Sequence, residues 1–266
     1  MKLAVIGAGN MATAIIKAVL ESKAVSAKDI TVSDINPLSL ERVQTEQGVL
    51  TADSNISAID SADTIILAVK PQNLEGISRE ISGRLKCGQL VISILAGTPL
   101  SRLALSLGHD EIIRAMPNTP AQIGMGMTVW TCSEKVSAEQ KQNGQAILSS
   151  MGRELFVDDE GFIDMATAIS GSGPAYFFLF MECLVESAVS LGFDSETALS
   201  LVLQTALGSI QYAITSGRGL AELRQQVTSP GGTTAEAINH FNSNDIKTIV
   251  NGAVAAAYRK AAEMGK

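Results

Sequence analysis

Short apolar runs rich in β-branched residues recur through the first half of the chain, and one, Ile65-Ile66-Leu67-Ala68-Val69, has no polar residue in it. A strand with one wet face alternates apolar and polar residues; a run that is apolar throughout suits a strand covered on both faces. Lys2 to Ile6, Ile30 to Ser33, Thr64 to Val69, Leu90 to Ile94 and Glu111 to Ala115 read as such strands, with amphipathic stretches between most of them. This alternation is the pattern of a parallel α/β sheet. Met127 to Thr131 and Glu154 to Val157, flanking a helix from about Ser137 to Met151, extend the sheet.

After Asp158 the strand signals stop. Helical patterns follow over Pro174 to Leu191, Ser195 to Thr215, Leu220 to Val227, Thr233 to Phe241 and Ile246 to Glu263. Gly192 and Gly217 suit helix stops, and Asp194 and Ser195 suit caps. These helices carry small and apolar residues on more than one face, as in Ala253-Val254-Ala255-Ala256-Ala257, and such helices need a partner to cover them. A second copy of the helical domain would provide one. The expected organisation is α/β, with a dinucleotide-binding domain over residues 1–158 and an all-α domain over 159–266. The boundary rests on the change of pattern, since there is no low-complexity linker.

Composition narrows the function. A net charge of −7 with no basic run argues against a sequence-independent hold on nucleic acid. Cys87, Cys132 and Cys183 lie far apart, which suggests neither a zinc site nor a disulfide framework, so no metal is expected and a reducing, cytoplasmic setting is. The apolar opening is interrupted by Gly7, Gly9 and Asn10, unlike a secretion signal, and no unbroken apolar run of about 20 residues announces a membrane span.

Gly7-Ala8-Gly9-Asn10-Met11-Ala12 directly follows the first strand and opens a helix, with Ala12 where a third glycine is common. Such a turn brings backbone N–H groups to a pyrophosphate at a helix N-terminus. The second strand ends at Ser33-Asp34, about 20 residues on, where an acidic residue commonly meets the adenosine ribose. Asp34 would repel a 2′-phosphate and favour NADH; equally, it would serve as a helix cap before Asn36-Pro37. Val69-Lys70-Pro71-Gln72 and Ala96-Gly97-Thr98 close two further strands where a nicotinamide would lie, although a lysine ending a strand is often merely solvated.

Three loops are specific in composition. Arg114-Ala115-Met116-Pro117-Asn118-Thr119-Pro120 leaves a strand with two prolines fixing its path around Asn118 at the ligand-bearing edge, a rigid turn being the alternative. Ser170-Gly171-Ser172-Gly173-Pro174-Ala175-Tyr176 and Ser229-Pro230-Gly231-Gly232-Thr233-Thr234 each precede a helix. The free N–H groups at such a start suit a small carboxylate, and a structural cap is the alternative for each. The only histidines are His109 and His240, and no lysine falls between Lys141 and Lys247. Reduction of a ketone or hydroxy acid ordinarily needs His or Lys to pass a proton, whereas an imine can arrive protonated and needs mainly positioning.

Taken together, the segments from Ile6 to Ala12, Ala68 to Gln72, Met116 to Pro120, Ser170 to Tyr176 and Val227 to Thr234 make the chain resemble pyrroline-5-carboxylate reductases along essentially its whole length. The resemblance implies a Rossmann domain followed by a helical domain that interlocks with a second subunit. Dimers, often built into a decamer, would then carry the active site at their interface. It further implies that Gly7, Ala8, Gly9, Asn10 and Met11 hold the pyrophosphate, with Ser33 and Asp34 near the adenosine ribose. Asn55, Ala68, Val69, Lys70, Pro71 and Ala96 would line the nicotinamide side. Ser229, Gly232, Thr233 and Thr234 would take the substrate carboxylate, with Thr234 hydrogen-bonding the ring nitrogen as the catalytic group and Glu160 near the substrate. NADH and NADPH both stay open. The competing readings are a β-hydroxy-acid dehydrogenase, which should carry a lysine on the helix after Ser172 where this chain has none, and a dinucleotide-binding sensor without turnover.

Overall fold

The computed structural model describes residues 1–265. Its contacts divide it into two compact units, one made of residues 1–172 with the C-terminal stretch from Ala257, the other of Gly173–Ala256.

The first unit is built on eight strands: β1 (Leu3–Ile6), β2 (Ile30–Ser33), β3 (Leu50–Thr51), β4 (Thr64–Leu67), β5 (Leu90–Ser93), β6 (Ile112–Met116), β7 (Gly126–Cys132) and β8 (Gly152–Phe156). Their spatial order is β3-β2-β1-β4-β5-β6-β7-β8. The all-apolar runs are buried on both faces, as their lack of alternation requires. Leu3, Val5, Ile66 and Ile92 join a core with α1 (Asn10–Glu21) and α6 (Ala138–Ser150). Ala4, Ile6, Ile65, Leu67 and Val91 join a second core, to which α3 (Asn55–Ile59), α4 (Leu74–Ile81) and α5 (Leu100–Leu107) contribute. A further helix, α2 (Pro37–Gln47), follows β2 and is capped by Asn36, whose side chain accepts from the Leu38 N–H.

Two features depart from the sequence expectation. The two-residue β3, paired with β2, is too short to leave a pattern. Strand β7 runs antiparallel to β6, so the sheet is mixed and not purely parallel. Only residues 117–125 join these strands, too few for the crossover of a dozen or more residues that parallel neighbours need. The parallel order resumes at β8, reached through α6, whose start is closed by a reciprocal Ser137–Gln140 capping box.

The compact first unit also runs past residue 158. Helix α7 (Gly161–Ala166) and the π-helical turn Thr167–Gly171 stay with the sheet for a physical reason. Buried Arg114 on β6 pairs with Glu160 at 2.7 Å and with Asp164 at 2.6 Å. Nearby, the Asn118 amide donates to Ser170 O and its oxygen accepts from Met127 N.

The second unit is helical: α8 (Gly173–Ser190), α9 (Ser195–Ser216), α10 (Leu220–Gln226), α11 (Thr233–Ser243) and the start of α12 (Ile246–Met264). Asp194 caps α9 through the Thr197 N–H, and Gly217 ends it in the left-handed conformation. By length and hydropathy alone, the stretches Gly161–Ser190 and Ser195–Ser216 would suffice to cross a membrane, which the sequence reading had not expected. Their apolar side chains stand open, with Phe177, Phe178, Leu179 and Ile214 each about 60% exposed or more.

Candidate functional site

The order β3-β2-β1-β4 means that the chain winds outward in opposite directions from β1 and β4. Ligands of open α/β sheets collect at this reversal, beyond the carboxyl ends of the strands. Gly7 sits there with φ +104°, and a methyl group on it would lie 2.5 Å from Ala68 O and 3.0 Å from a Val69 methyl. The turn is pinned by Gly7 N donating to Ser33 O (2.8 Å) and by Ala68 N donating to Ile6 O (2.9 Å). Glycine at position 7 therefore lets β1, β2 and β4 close on one another.

Gly9 answers a different need. Its backbone is extended, it is the N-cap of α1 with no side-chain capping bond, and nothing stands within 4 Å of where a methyl would be. The first intrahelical bond there is Thr13 N to Gly9 O, so the N–H groups of Asn10, Met11 and Ala12 precede the helical ladder. The first turn also carries no acidic residue. An uncapped helix start beside open space fits a pyrophosphate, whose charge the helix dipole favours. Ala12 is fully buried, its small side chain lying in the core beneath the helix.

At the end of β2, Asp34 does not cap the following helix; Asn36 caps α2. The Asp34 carboxylate turns back to the glycine-rich turn and accepts from Ala8 N at 2.6 Å, its other oxygen accepting from Asn36 N. Arg42 of α2 donates to the same residue, at Ala8 O (3.2 Å). Ser33 and Asn55, expected on different portions of a dinucleotide, form one cluster: Ser33 Oγ lies 2.7 Å from Asn55 Oδ1. Ala68 and Val69 are half-buried at the β4 end, and Lys70 is exposed ahead of the single turn Pro71–Asn73. Ala96, after β5, is half-buried, and Gly97 beside it has φ +63° and lies against Ala261 and Met264 of α12. All the expected dinucleotide residues thus share one edge of the first unit.

The expected substrate residues do not gather in the same way. Glu160 belongs to the first unit, where its Oε1 accepts from both Leu100 N and Arg114 (2.7 Å each). Ser229, Gly232, Thr233 and Thr234 belong to the second unit, at the start of α11. Gly232 is the N-cap and supplies no side chain, which leaves the first N–H groups of α11 to an outside acceptor. The cradle is tight, because a methyl on Gly232 would meet Ser229 Oγ at 2.6 Å and Gly231 has φ +71°.

Sequence reasoning missed Arg42, Glu80 and Asp164, and placed Arg114 only at the head of the loop over residues 116–120, without its partners. Each acts across 25 or more residues of chain, on Ala8, Asn55, Arg114 and Glu160 respectively, and no local motif announces such a partnership.

A glycine-rich turn at the sheet reversal, an uncapped helix start and a separate helical unit define a two-unit protein of the dinucleotide-binding class. Comparison with known proteins narrows this. Residues 160–264 match the family described as pyrroline-5-carboxylate reductase dimerisation, and residues 2–97 match NADP oxidoreductase, coenzyme F420-dependent. A pyrroline-5-carboxylate reductase of Pseudomonas aeruginosa is 41% identical, with 100% of this chain and 97% of the relative covered. One from Vibrio alginolyticus is 39% identical, with 100% and 98% covered. Among solved structures, a pyrroline-5-carboxylate reductase from Coxiella burnetii superposes with a TM-score of 0.90 at 36% identity, covering 100% of this chain and 98% of that one. The Plasmodium falciparum pyrroline carboxylate reductase with NADP bound gives 0.89 at 30% identity, with the same coverage. The chain belongs to the pyrroline-5-carboxylate reductase family.

Proposed function

We propose that this chain reduces the ring carbon-nitrogen double bond of 1-pyrroline-5-carboxylate with NAD(P)H, giving L-proline. The observation that carries the reading is the presence of two uncapped helix starts, at Gly9 and at Gly232, in a chain alike over its full length to reductases of that substrate. The nicotinamide supplies a hydride, which adds to C5 of the ring while the nitrogen keeps its proton. Gly7, Gly9, Asn10 and Met11 hold the pyrophosphate, and Ala68, Val69, Lys70, Pro71 and Ala96 border the nicotinamide. The Thr233 and Thr234 N–H groups take the substrate carboxylate, and the Thr234 hydroxyl holds the ring nitrogen. Arg114, paired with Glu160 at 2.7 Å, fixes the orientation of that carboxylate. Asp34, held against Ala8, weighs against a 2′-phosphate and hence toward NADH.

The open apolar faces of α8 and α9 support assembly with a second copy, consistent with the dimerisation family that the C-terminal half matches. The same reading puts the enzyme in the cytoplasm, which its three unpaired cysteines support.

The test is the fall in absorbance of NADH, and separately of NADPH, on adding 1-pyrroline-5-carboxylate. Oxidation of either is expected, and the ratio of the two rates measures the selection made by Asp34. Folded protein that binds dinucleotide yet oxidises neither refutes the substrate. Thr234→Ala should lower turnover far more than dinucleotide affinity, and unchanged turnover removes Thr234 from the reaction.

A further inference from the structure

Beside the end of β2 and the start of α3 stands a carboxylate that the reading above does not use. Glu80, near the end of α4, accepts from Asn55 twice: Oε1 from the backbone N–H at 3.0 Å and Oε2 from the side-chain Nδ2 at 2.7 Å. An ionised carboxylate only accepts, so Nδ2 must face Glu80 and Oδ1 must face β2. Ser33 is then the donor in its 2.7 Å bond to Asn55 Oδ1. A chain of fixed polarity results, running from α4 through Asn55 to the end of β2.

Without Glu80, the Asn55 amide would be free to turn by half a revolution, since its two ends are nearly alike in shape. Asn55 would also lose the acceptor for its backbone N–H at the first turn of α3. Bonds to an ionised acceptor are roughly twice as strong as neutral ones, and two of them on one residue set its rotamer as well as its distance. Glu80 is half-buried, and its own helix is anchored by Ile77 and Ile81 in the second core of the sheet. The orientation is therefore imposed from the scaffold.

We propose that Glu80 is a positioning residue for the dinucleotide, acting through Asn55 to hold the amide and the Ser33 hydroxyl in the one arrangement that receives the cofactor. This rests on the assignment of Ser33 and Asn55 to the dinucleotide site. Glu80 itself touches neither cofactor nor substrate, so its effect belongs in cofactor affinity and not in the rate at saturation.

The experiment measures Kd for NADH and for NADPH, with kcat and KM, on the intact enzyme carrying Glu80→Ala, Asn55→Ala or both. Glu80→Ala should raise the Kd of the better-bound cofactor about tenfold while leaving kcat at saturating cofactor within about twofold, as expected for loss of charge-assisted bonds outside the reacting groups. In the Asn55→Ala background the same change should add less than about twofold, because its intermediary has gone. Glu80→Gln keeps one acceptor and should fall between wild type and Glu80→Ala. An unchanged Kd in Glu80→Ala overturns the proposal. So does an equal, additive loss in both backgrounds, which would show that Glu80 acts independently of Asn55. If Glu80→Ala does not fold, Glu80→Gln decides, and a wild-type Kd there overturns it. Wild-type protein that binds neither dinucleotide would instead sink the functional reading on which this inference rests.

Discussion

The glycine-rich turn contains two glycines with opposite reasons to exist, and alanine substitution should separate them. At Gly7 an added methyl would stand 2.5 Å from Ala68 O and 3.0 Å from a Val69 methyl, on a residue with φ +104°. Backbone strain of about 1–2 kcal/mol and overpacking of about 1–3 kcal/mol add to a loss of roughly 2–5 kcal/mol in folding stability. At Gly9 the backbone is extended and nothing lies within 4 Å of the added methyl, so the fold should lose under about 1 kcal/mol, the difference between glycine and alanine as an N-cap. The same methyl would stand where the pyrophosphate approaches α1, and dinucleotide Kd should rise at least about tenfold, or about 1.4 kcal/mol. Urea unfolding at fixed protomer concentration reads the first effect, and fluorescence titration with NADH and NADPH the second. Gly7→Ala and Gly9→Ala should thus move on different axes. A Gly9→Ala protein of native stability that binds dinucleotide as well as wild type would refute the placement of the pyrophosphate. A fully stable Gly7→Ala would refute the account of how β1, β2 and β4 close.

Arg114→Met should cost about 2–4 kcal/mol by leaving the Glu160 and Asp164 carboxylates unpaired, the lower end reflecting their side-chain exposures of 31% and 23%. Adding Glu160→Gln and Asp164→Asn should recover most of that loss in urea unfolding, and no recovery would show that packing of the guanidinium stem, not charge, was at stake. Hydrogen bonds from the Thr197 side chain and backbone hold the Asp194 carboxyl below its ordinary pKa. A depressed acid stabilises the fold above its unfolded pKa of about 3.9 and loses that contribution as pH falls through the folded value. The Tm gap between wild type and Asp194→Ala should accordingly narrow from about pH 6 to about pH 3, and a constant gap would refute an ionic cap. Burial pushes the Cys132 thiol up, with Lys141 opposing in part, whereas Cys87 is exposed. Iodoacetamide near pH 8 should therefore modify Cys87 well before Cys132 by peptide mapping, and equal rates would contradict that burial.

Much of the fold was legible because the residues that decide it are near one another in the chain. The five principal strands, the Ser137-started helix and the five C-terminal helices follow from apolar runs, periodicity, caps and glycine stops within each segment. The glycine-rich turn was legible for the same reason, since strand, turn and helix start are contiguous over Leu3 to Ala12. The antiparallel direction of β7 left no pattern, because strand direction depends on whether the connecting chain is long enough to cross over. Arg114 and Asn118 tie the stretch up to Ser172 to the sheet, and these residues carry no signal of what they will meet some 50 positions later.

The sequence by itself determined a dinucleotide fold followed by apolar helices in need of a partner, since hydrophobic period and turn chemistry are local properties of the chain. Only the tertiary structure decided that Asp34 turns to Ala8 while Asn36 caps α2, and that Ser33, Asn55 and Glu80 form one relay. Each of those choices is a competition among hydrogen-bond partners brought within 3 Å or so by folding, and distance along the chain says nothing about which partner wins.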